Sequence, residues 1–165
     1  MRIGLISDTH GRLRNEVFDV FREVDAIVHA GDIGPYDLIA ELEAIAPVTA
    51  VYGNTDRFDV RERLQASASL EAGGTRIAVE HGDRLGSPTP KALRRKHADA
   101  DVIVFGHTHR PLIDDDGRSL VVNPGSAGAA RFGMPASVVV LTVEDGSRPE
   151  AELIELGDPA GTRPQ

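Results

Sequence analysis

The chain has 165 residues, 4% aromatic residues, no cysteine and a formal net charge of −8. This length predicts one domain over residues 1–156, and the lack of cysteine excludes disulfides, thiolate metal ligands and a cysteine nucleophile. The acidic balance argues against extended nucleic acid as a partner, and the short apolar runs, with no signal-peptide core at the N-terminus, predict a cytoplasmic protein without a membrane-spanning segment.

Strands and helices alternate in the first part of the chain. Apolar runs predict strands over 2–6, 26–29 and 48–52, and helical spacing predicts helices over 16–23 and 36–46. Alternation of this kind favours parallel strand pairing. Polar residues that follow such strands are then expected at one edge of the sheet.

The remainder of the chain is predicted to contain hairpins. The first covers 67–80 and turns at Gly73-Gly74, and a helix over 90–97 and a strand over 102–105 follow it. Two more hairpins turn at Asp116-Gly117 and at Asp145-Gly146, and their strands cover 111–113, 119–122, 137–144 and 150–156. This β-rich end predicts a second sheet packed on the first. Residues 157–165 lack periodicity, which predicts a flexible tail.

Five short polar fragments follow the predicted strands. They are Asp8-Thr9-His10, Gly31-Asp32, Gly53-Asn54-Thr55-Asp56, His81-Gly82 and Gly106-His107-Thr108-His109. Each one alone is equally well explained by polar residues that end a strand or begin a helix. Together they contain four of the six histidines, which favours one shared site over chance.

The donor atoms of these fragments predict a site for divalent metals. Asp8 and His10 lie two residues apart, so an extended backbone would point both side chains at one cation, and His107 and His109 repeat this spacing. Asp32 is the candidate for a carboxylate that bridges two cations through its two oxygens. A donor set rich in imidazole suits Mn, Fe, Co, Ni or Zn better than Ca or Mg.

Four further polar residues complete this interpretation. Asn54 offers an amide oxygen and His81 an imidazole nitrogen, which would fill the remaining metal positions. His29 lies within an apolar strand, which favours a hydrogen-bonded core or supporting role, and His97 ends a helix.

The five fragments, with Asn123-Pro124-Gly125-Ser126, resemble the motifs of calcineurin-like metallophosphoesterases, in particular the compact YfcE-type phosphodiesterase group. The resemblance extends from Asp8 to Ser126, which is most of the chain. It implies an α/β fold, a four-layer αββα sandwich with two mixed β-sheets and metals at their edge. The expected function is hydrolysis of a phosphodiester by a hydroxide that bridges two divalent metals, with Mn favoured and Fe, Ni, Co or Zn as alternatives.

The resemblance also implies how the ligands are divided between the two metals. One metal would be held by Asp8, His10, Asp32 and His109. The other would be held by Asp32, Asn54, His81 and His107. Asn54 is in addition the candidate catalytic residue, and no residue is assigned to the expected substrate, a small phosphodiester or nucleotide.

Two positions depart from the family pattern. Many larger members have a histidine after the ligand asparagine that can protonate the leaving group, whereas this chain has Thr55, so a general acid is in doubt. Compact members often have a second histidine after the His-Gly pair, whereas this chain has Asp83, which we interpret as a change at the rim. The ligands are flanked by Thr55, Arg57 and Arg110. Each is equally well explained as a substrate contact or as a solvent-facing residue.

Several alternatives stay open. Residues 124–128 could present backbone N–H groups to a phosphate or form a structural turn, and Asp114-Asp115-Asp116 favours a hairpin turn over a calcium loop. A non-catalytic metal-binding scaffold of the same fold is the main alternative to an enzyme, although such scaffolds typically have a damaged ligand set. Monoester, diester and cyclic-nucleotide substrates are all compatible with the motifs, and exposed sheet edges make a homo-oligomer reasonable.

Overall fold

The structure, a computed structural model, describes residues 1–157, so residues 158–165 of the predicted tail lie outside it. The α-helices of the described part are α1 Asn15–Val20, α2 Asp37–Glu43, α3 Phe58–Arg61 and α4 Pro90–Lys96. The strands are β1 Arg2–Ile6, β2 Ala26–His29, β3 Val48–Ala50, β4 Ser67–Ala72, β5 Thr75–Glu80, β6 Val102–Val104, β7 Leu112–Asp115, β8 Leu120–Asn123, β9 Ser137–Thr142 and β10 Glu150–Glu155.

The described strands form two mixed sheets of five strands each, which confirms the predicted α/β class. The first sheet has the order β10-β9-β1-β2-β3, in which β1, β2 and β3 are parallel and β9 and β10 are antiparallel neighbours. The second has the order β4-β5-β6-β8-β7, with β5, β6 and β8 parallel. All three predicted hairpins are present, but the last one joins the first sheet instead of the second.

Three apolar clusters define the layers. Ile3 and Leu5 of β1 lie in the cluster between the two sheets, whereas Ile6 belongs to the cluster that also contains Val17 of α1 and Leu42 of α2. On the far side, Leu93 of α4 packs with Ile103 of β6, Val121 of β8 and Phe105, which directly follows β6. The order is therefore helices, sheet, sheet, helix, which is the predicted αββα sandwich.

This layering explains why β9 returns to the first sheet. Val139 and Leu141 face the cluster between the sheets, and Val138 and Val140 face the helices. A strand that is apolar on both faces is suited to the middle of a covered sheet, and β9 lies between β1 and β10.

Element bounds and short helices are where the structure differs from prediction. The two long helices are shorter than expected, ending at Val20 and Glu43, because turns follow each of them. The four-residue helix α3 and a 3-10 helix at Asp83–Leu85 were not predicted, since neither is long enough to show helical periodicity. Among the described residues no helix has the length and apolar character needed to cross a membrane.

Candidate metal centre

All five polar fragments lie at one edge of the sandwich, but they come from both sheets. The loops after β1, β2 and β3 carry three of the fragments, and the loops after β5 and β6 carry the other two. Because the sheets stack face to face, the carboxyl ends of their parallel strands meet along a common edge. The predicted convergence is therefore found, across two sheets instead of one.

The backbone of these loops is left-handed at most of the predicted ligands. Positive φ angles occur at five of them: Asp8 (55°), His10 (46°), Asp32 (55°), His107 (70°) and His109 (58°). The extended geometry predicted between the paired Asp and His residues is therefore wrong. The side chains converge because the loops curl, a conformation that costs bulky L-residues energy and that clusters at functional sites.

Four side chains form a compact group that could hold one metal ion: Asp8, His10, Asp32 and His109, whose donor atoms all lie within 4.8 Å of one another. Asp8 Oδ1 is 3.1 Å from His109 Nε2 and 3.8 Å from His10 Nε2. His10 Nε2 is also 3.9 Å from Asp32 Oδ2. The members match the first ligand set that the family resemblance implied.

The second implied set is also brought together. His81 Nε2 lies 3.2 Å from Asp32 Oδ2 and 3.1 Å from Asn54 Oδ1, and His107 Nδ1 lies 3.1 Å from the same Asn54 oxygen. Asp32 therefore contacts both groups through Oδ2 alone, whereas both of its oxygens were expected from the sequence to be used. Its other oxygen, Oδ1, accepts a hydrogen bond of 2.9 Å from the backbone N–H of Thr55, which fixes the carboxylate orientation.

One buried oxygen of this cluster is without a hydrogen bond. Asp8 Oδ2 accepts hydrogen bonds from Ser7 Oγ and from the His107 N–H, whereas no described residue bonds to Oδ1 or to the buried His109 Nδ1. A buried carboxylate oxygen without a partner is costly. Oδ1 has imidazole nitrogens of His109, His10 and His81 within 4.0 Å, so a cation among them would satisfy it. The donor set therefore fits a divalent metal.

The pKa values of three groups in the cluster reflect burial acting against the contacts between carboxylates and imidazoles. Burial disfavours the charged imidazole of His81, but Asp32 and Asp8 outweigh this effect and raise its pKa to about 9. Burial likewise opposes ionisation of Asp32, yet contact with His81 and Thr55 lowers its pKa. Burial lowers the pKa of His10, and the charge of Arg131 acts in the same direction, against Asp32 and Asp8.

Hydrogen bonds fix the orientation of the His81 ring. Its Nδ1–H donates to the Ala30 carbonyl at 2.8 Å, which leaves Nε2 directed at Asp32 and Asn54. A ring nitrogen anchored on a backbone carbonyl is the usual arrangement for a metal-binding histidine.

Sequence reasoning missed Asp56 as a supporting residue. This buried carboxylate accepts hydrogen bonds from the backbone N–H groups of Ile33, Gly34 and Gly53. It thereby joins the loop after β2 to the loop after β3. Its place next to the ligand fragment was the available signal, but nothing in the sequence separates a supporting carboxylate from a metal-binding one.

His29 has the supporting role that was predicted for it. Nδ1 accepts from the Gly31 N–H, so Nε2 carries the proton and donates to Thr9 Oγ1 at 2.9 Å. Thr9 Oγ1 in turn donates to the Ile33 carbonyl. Burial lowers the pKa of His29 to about 3, so this chain of bonds is neutral and joins two ligand loops.

The 124–128 segment is a structural turn. Asn123 Nδ2 donates to Gly106 O and Thr108 Oγ1, and Asn123 Oδ1 accepts from the Gly125 N–H. Ser126 Oγ donates to the Asp8 carbonyl. These groups are buried and satisfied internally, so the turn supports the ligand loops of both sheets.

Two glycines of the fragments are required by close packing. A Cβ at Gly53 would collide with Asp32 Oδ1, and a Cβ at Gly106 would collide with Ser7 Oγ and lie 2.8 Å from Asp8 Oδ2. The Gly-Asn and Gly-His pairs of the motifs therefore provide space for the carboxylates.

The other singled-out residues lie around the site or away from it. Thr55 is exposed and contacts Asp32 through its backbone N–H. Asp83 begins the 3-10 helix after His81. Asp116 accepts hydrogen bonds from backbone N–H groups in the predicted hairpin turn. His97 contacts the buried carboxylate of Glu80 at 2.6 Å. Beside Asn54 is an open cleft of about 580 Å³ that is lined by Gly34, Pro35, Thr55, Asp56, Arg57 and Asp59.

The two-sheet α/β fold and the polar cluster at its edge agree with what comparison with known proteins finds. Residues 1–146 match the family described as the calcineurin-like phosphoesterase superfamily domain, and the chain belongs to this family. It is 39% identical over 166 residues to a probable metallophosphoesterase of Methanothermobacter thermautotrophicus, covering 96% of this chain and 95% of that protein. It is 30% identical to the phosphodiesterase YfcE of Escherichia coli K12, covering 86% and 87% of the two chains.

A solved structure with the same fold is that of Vps29 complexed with Zn²⁺ from Entamoeba histolytica. The TM-score is 0.78 and the likeness covers 94% of this chain and 99% of that one. At 20% sequence identity it shows the fold alone.

Proposed function

We propose that this protein is a phosphodiesterase with a centre of two divalent metals, for which Mn is favoured and Fe, Ni, Co and Zn are alternatives. The observation that carries the proposal is the position of Asp32 Oδ2, 3.9 Å from His10 Nε2 and 3.2 Å from His81 Nε2. Asp32 would be the ligand that both metals share. Asp8, His10 and His109 would complete one position, and Asn54, His81 and His107 the other.

Two divalent metals held by these residues would supply a hydroxide nucleophile near neutral pH and would neutralise charge on the phosphoryl oxygens. The protein contributes orientation. Thr55 N–H and Ala30 O fix Asp32 and His81 in the geometry described above, so little reorganisation is needed during the reaction. Asn54 is exposed, which is compatible with its proposed catalytic role.

The surroundings favour a small substrate. The cleft lined by Thr55 lies next to Asn54 in the chain, and the proposed ligands His10 and Asn54 are themselves exposed. Because Thr55 occupies the position of the general acid, esters with good leaving groups should react fastest. A small phosphodiester or nucleotide is therefore the proposed substrate. The cytoplasmic location and the homo-oligomer stay predictions.

The test is hydrolysis of bis-p-nitrophenyl phosphate by metal-stripped protein before and after Mn addition. We expect Mn-dependent turnover, a loss of at least about 1,000-fold in Asp32→Ala and His10→Ala, and wild-type rates for Asp37→Ala, an exposed carboxylate on α2. Circular dichroism should show all variants folded. Turnover of p-nitrophenyl phosphate in parallel compares monoester with diester.

Two outcomes would overturn the proposal. Full Mn-dependent activity in Asp32→Ala or His10→Ala would show that the assigned ligands are wrong. A folded wild-type protein that binds metal but cleaves neither ester would favour the non-catalytic scaffold instead.

A further inference from the structure

An unusual turn lies beside the candidate metal centre. Met134 N–H donates to Arg131 O at 2.9 Å, and the central residues Phe132 and Gly133 have φ angles of 55° and 72°. Two positive φ angles define a type I′ turn, which normally selects Asn, Asp or Gly at both positions. Within residues 1–157, Phe132 is the remaining non-glycine residue with positive φ besides the five predicted ligands.

The Phe132 ring is held against this centre. Its centroid is 6.5 Å from that of His109, with the planes at 72°, and the Arg110 guanidinium lies 5.2 Å from the ring centroid. Two other Arg–aromatic pairs in the described part of the chain use Tyr36 and Tyr52, whose rings are only partly exposed. Phe132, in contrast, is 66% exposed.

Neither folding nor packing accounts for this placement. The left-handed backbone disfavours a bulky side chain, and the exposed ring gains little from burial. A solvent-facing aromatic ring beside a phosphate-binding centre offers a flat surface on which a nucleobase can stack. The open part of the ring is available for such a base.

Two cations lie near the centre. Arg110 follows His109 directly, and Arg131 precedes Phe132 and lies within electrostatic range of His10. In a chain with a net charge of −8, these guanidinium groups provide local attraction for an anion. Aromatic surface and positive charge together match a nucleotide better than an aliphatic phosphodiester.

We propose that Phe132 and Arg110 form a nucleobase-binding wall, so that the substrate class is a phosphodiester of a nucleoside. The base stacks on Phe132, and Arg110 and Arg131 attract the phosphate towards the metal centre. This inference rests on the proposed function for its reaction, and on the geometry of Phe132 for its specificity.

The first arm of the test measures binding without catalysis. Fluorescence anisotropy of ethenoadenosine 5′-monophosphate is titrated with metal-free protein at low salt. We expect Phe132→Asn to weaken binding roughly tenfold, because a stacking ring is lost while Asn favours the same turn. Phe132→Tyr should bind like the wild type. Phe18→Asn, which removes a partly exposed ring from α1, should also leave binding unchanged.

The second arm compares two substrates with the same leaving group, thymidine 5′-p-nitrophenyl phosphate and methyl p-nitrophenyl phosphate, with Mn present. We expect Phe132→Asn to lower kcat/KM roughly tenfold for the thymidine ester and to leave the methyl ester unchanged. Equal effects on both esters, or unchanged binding in Phe132→Asn, would overturn the inference and leave the proposed function intact. Phe132-dependent binding without hydrolysis of either ester would support the base-binding wall and contradict the proposed function.

Discussion

The interior between the two sheets differs from the edge where their strands end in both side-chain chemistry and backbone conformation. Between the sheets, side chains such as Leu5, Val139 and Leu141 are fully buried and apolar on regular strands. At the edge, buried carboxylates and imidazoles lie on left-handed backbone, and Asp8 Oδ1 has no hydrogen-bond partner among the described residues. Burial of the interior stabilises the fold, and this offsets the free-energy cost of the strained loops that hold a geometry suited to a metal.

This contrast predicts that the two regions can be damaged separately. A change in the apolar layers should lower stability and leave metal binding of the folded protein alone. A change in the loops should affect metal binding more than stability.

The largest effect on stability is expected from Phe21→Ala. Phe21 is fully buried, and its ring packs so closely on Gly4 that a Cβ there would be 2.8 Å away. Removing the ring should lower the free energy of unfolding by about 3–5 kcal/mol, measured by urea denaturation. Phe18→Ala, at a side chain 37% exposed, is the matched control and should cost far less. Weaker Mn binding by the folded Phe21→Ala protein would contradict the separation.

A smaller effect, now on the site, is expected from Gly53→Ala. The new methyl group would collide with Asp32 Oδ1 and lie 2.6 Å from the Asp32 backbone nitrogen. Displacing this carboxylate should weaken Mn binding by about 10–100-fold, measured by isothermal titration. Gly157→Ala, where nothing lies within 4 Å, should bind Mn like the wild type. Equal affinities in the two variants would show that the space at Gly53 is not needed.

The smallest expected effect is a pH dependence of the free energy of unfolding that arises from His29, a buried residue that supports the ligand loops. His29 has a pKa of about 3 in the folded protein because burial disfavours its charged form, whereas an unfolded histidine titrates near 6.5. Its contribution to stability is complete above pH 6.5 and is lost as the pH falls towards 3, because protons then bind the unfolded chain preferentially.

The expected loss from this residue is about 1 kcal/mol between pH 6 and pH 5, measured by urea denaturation of the metal-free protein. His29→Gln cannot titrate in this range and should show a correspondingly weaker dependence. The same pH dependence in both proteins would contradict the assignment of a neutral, buried His29.

The sequence was most informative where local pattern and position coincide. Apolar runs identified the strands, and the polar residues after them included all seven side chains that the structure brings together. Periodicity could not reveal α3 or the place of β9, because a four-residue helix has too few turns and strand order depends on contacts far apart in the chain.

The site also depends on features that local sequence cannot encode. Asp and His do not by themselves predict positive φ, which arises here because the surrounding hydrogen bonds hold the loops in place. Tertiary contacts also determine the three hydrogen bonds that Asp56 accepts from backbone N–H groups. They determine the position of Phe132 against His109 as well.

The most direct test of the two-metal account is the amount of Mn bound per chain, measured by equilibrium dialysis and elemental analysis. Two donor groups that share Asp32 predict two ions in the wild type, one in His109→Ala and a severe loss of both in Asp32→Ala. One ion per wild-type chain at saturation, or two ions retained in Asp32→Ala, would contradict it.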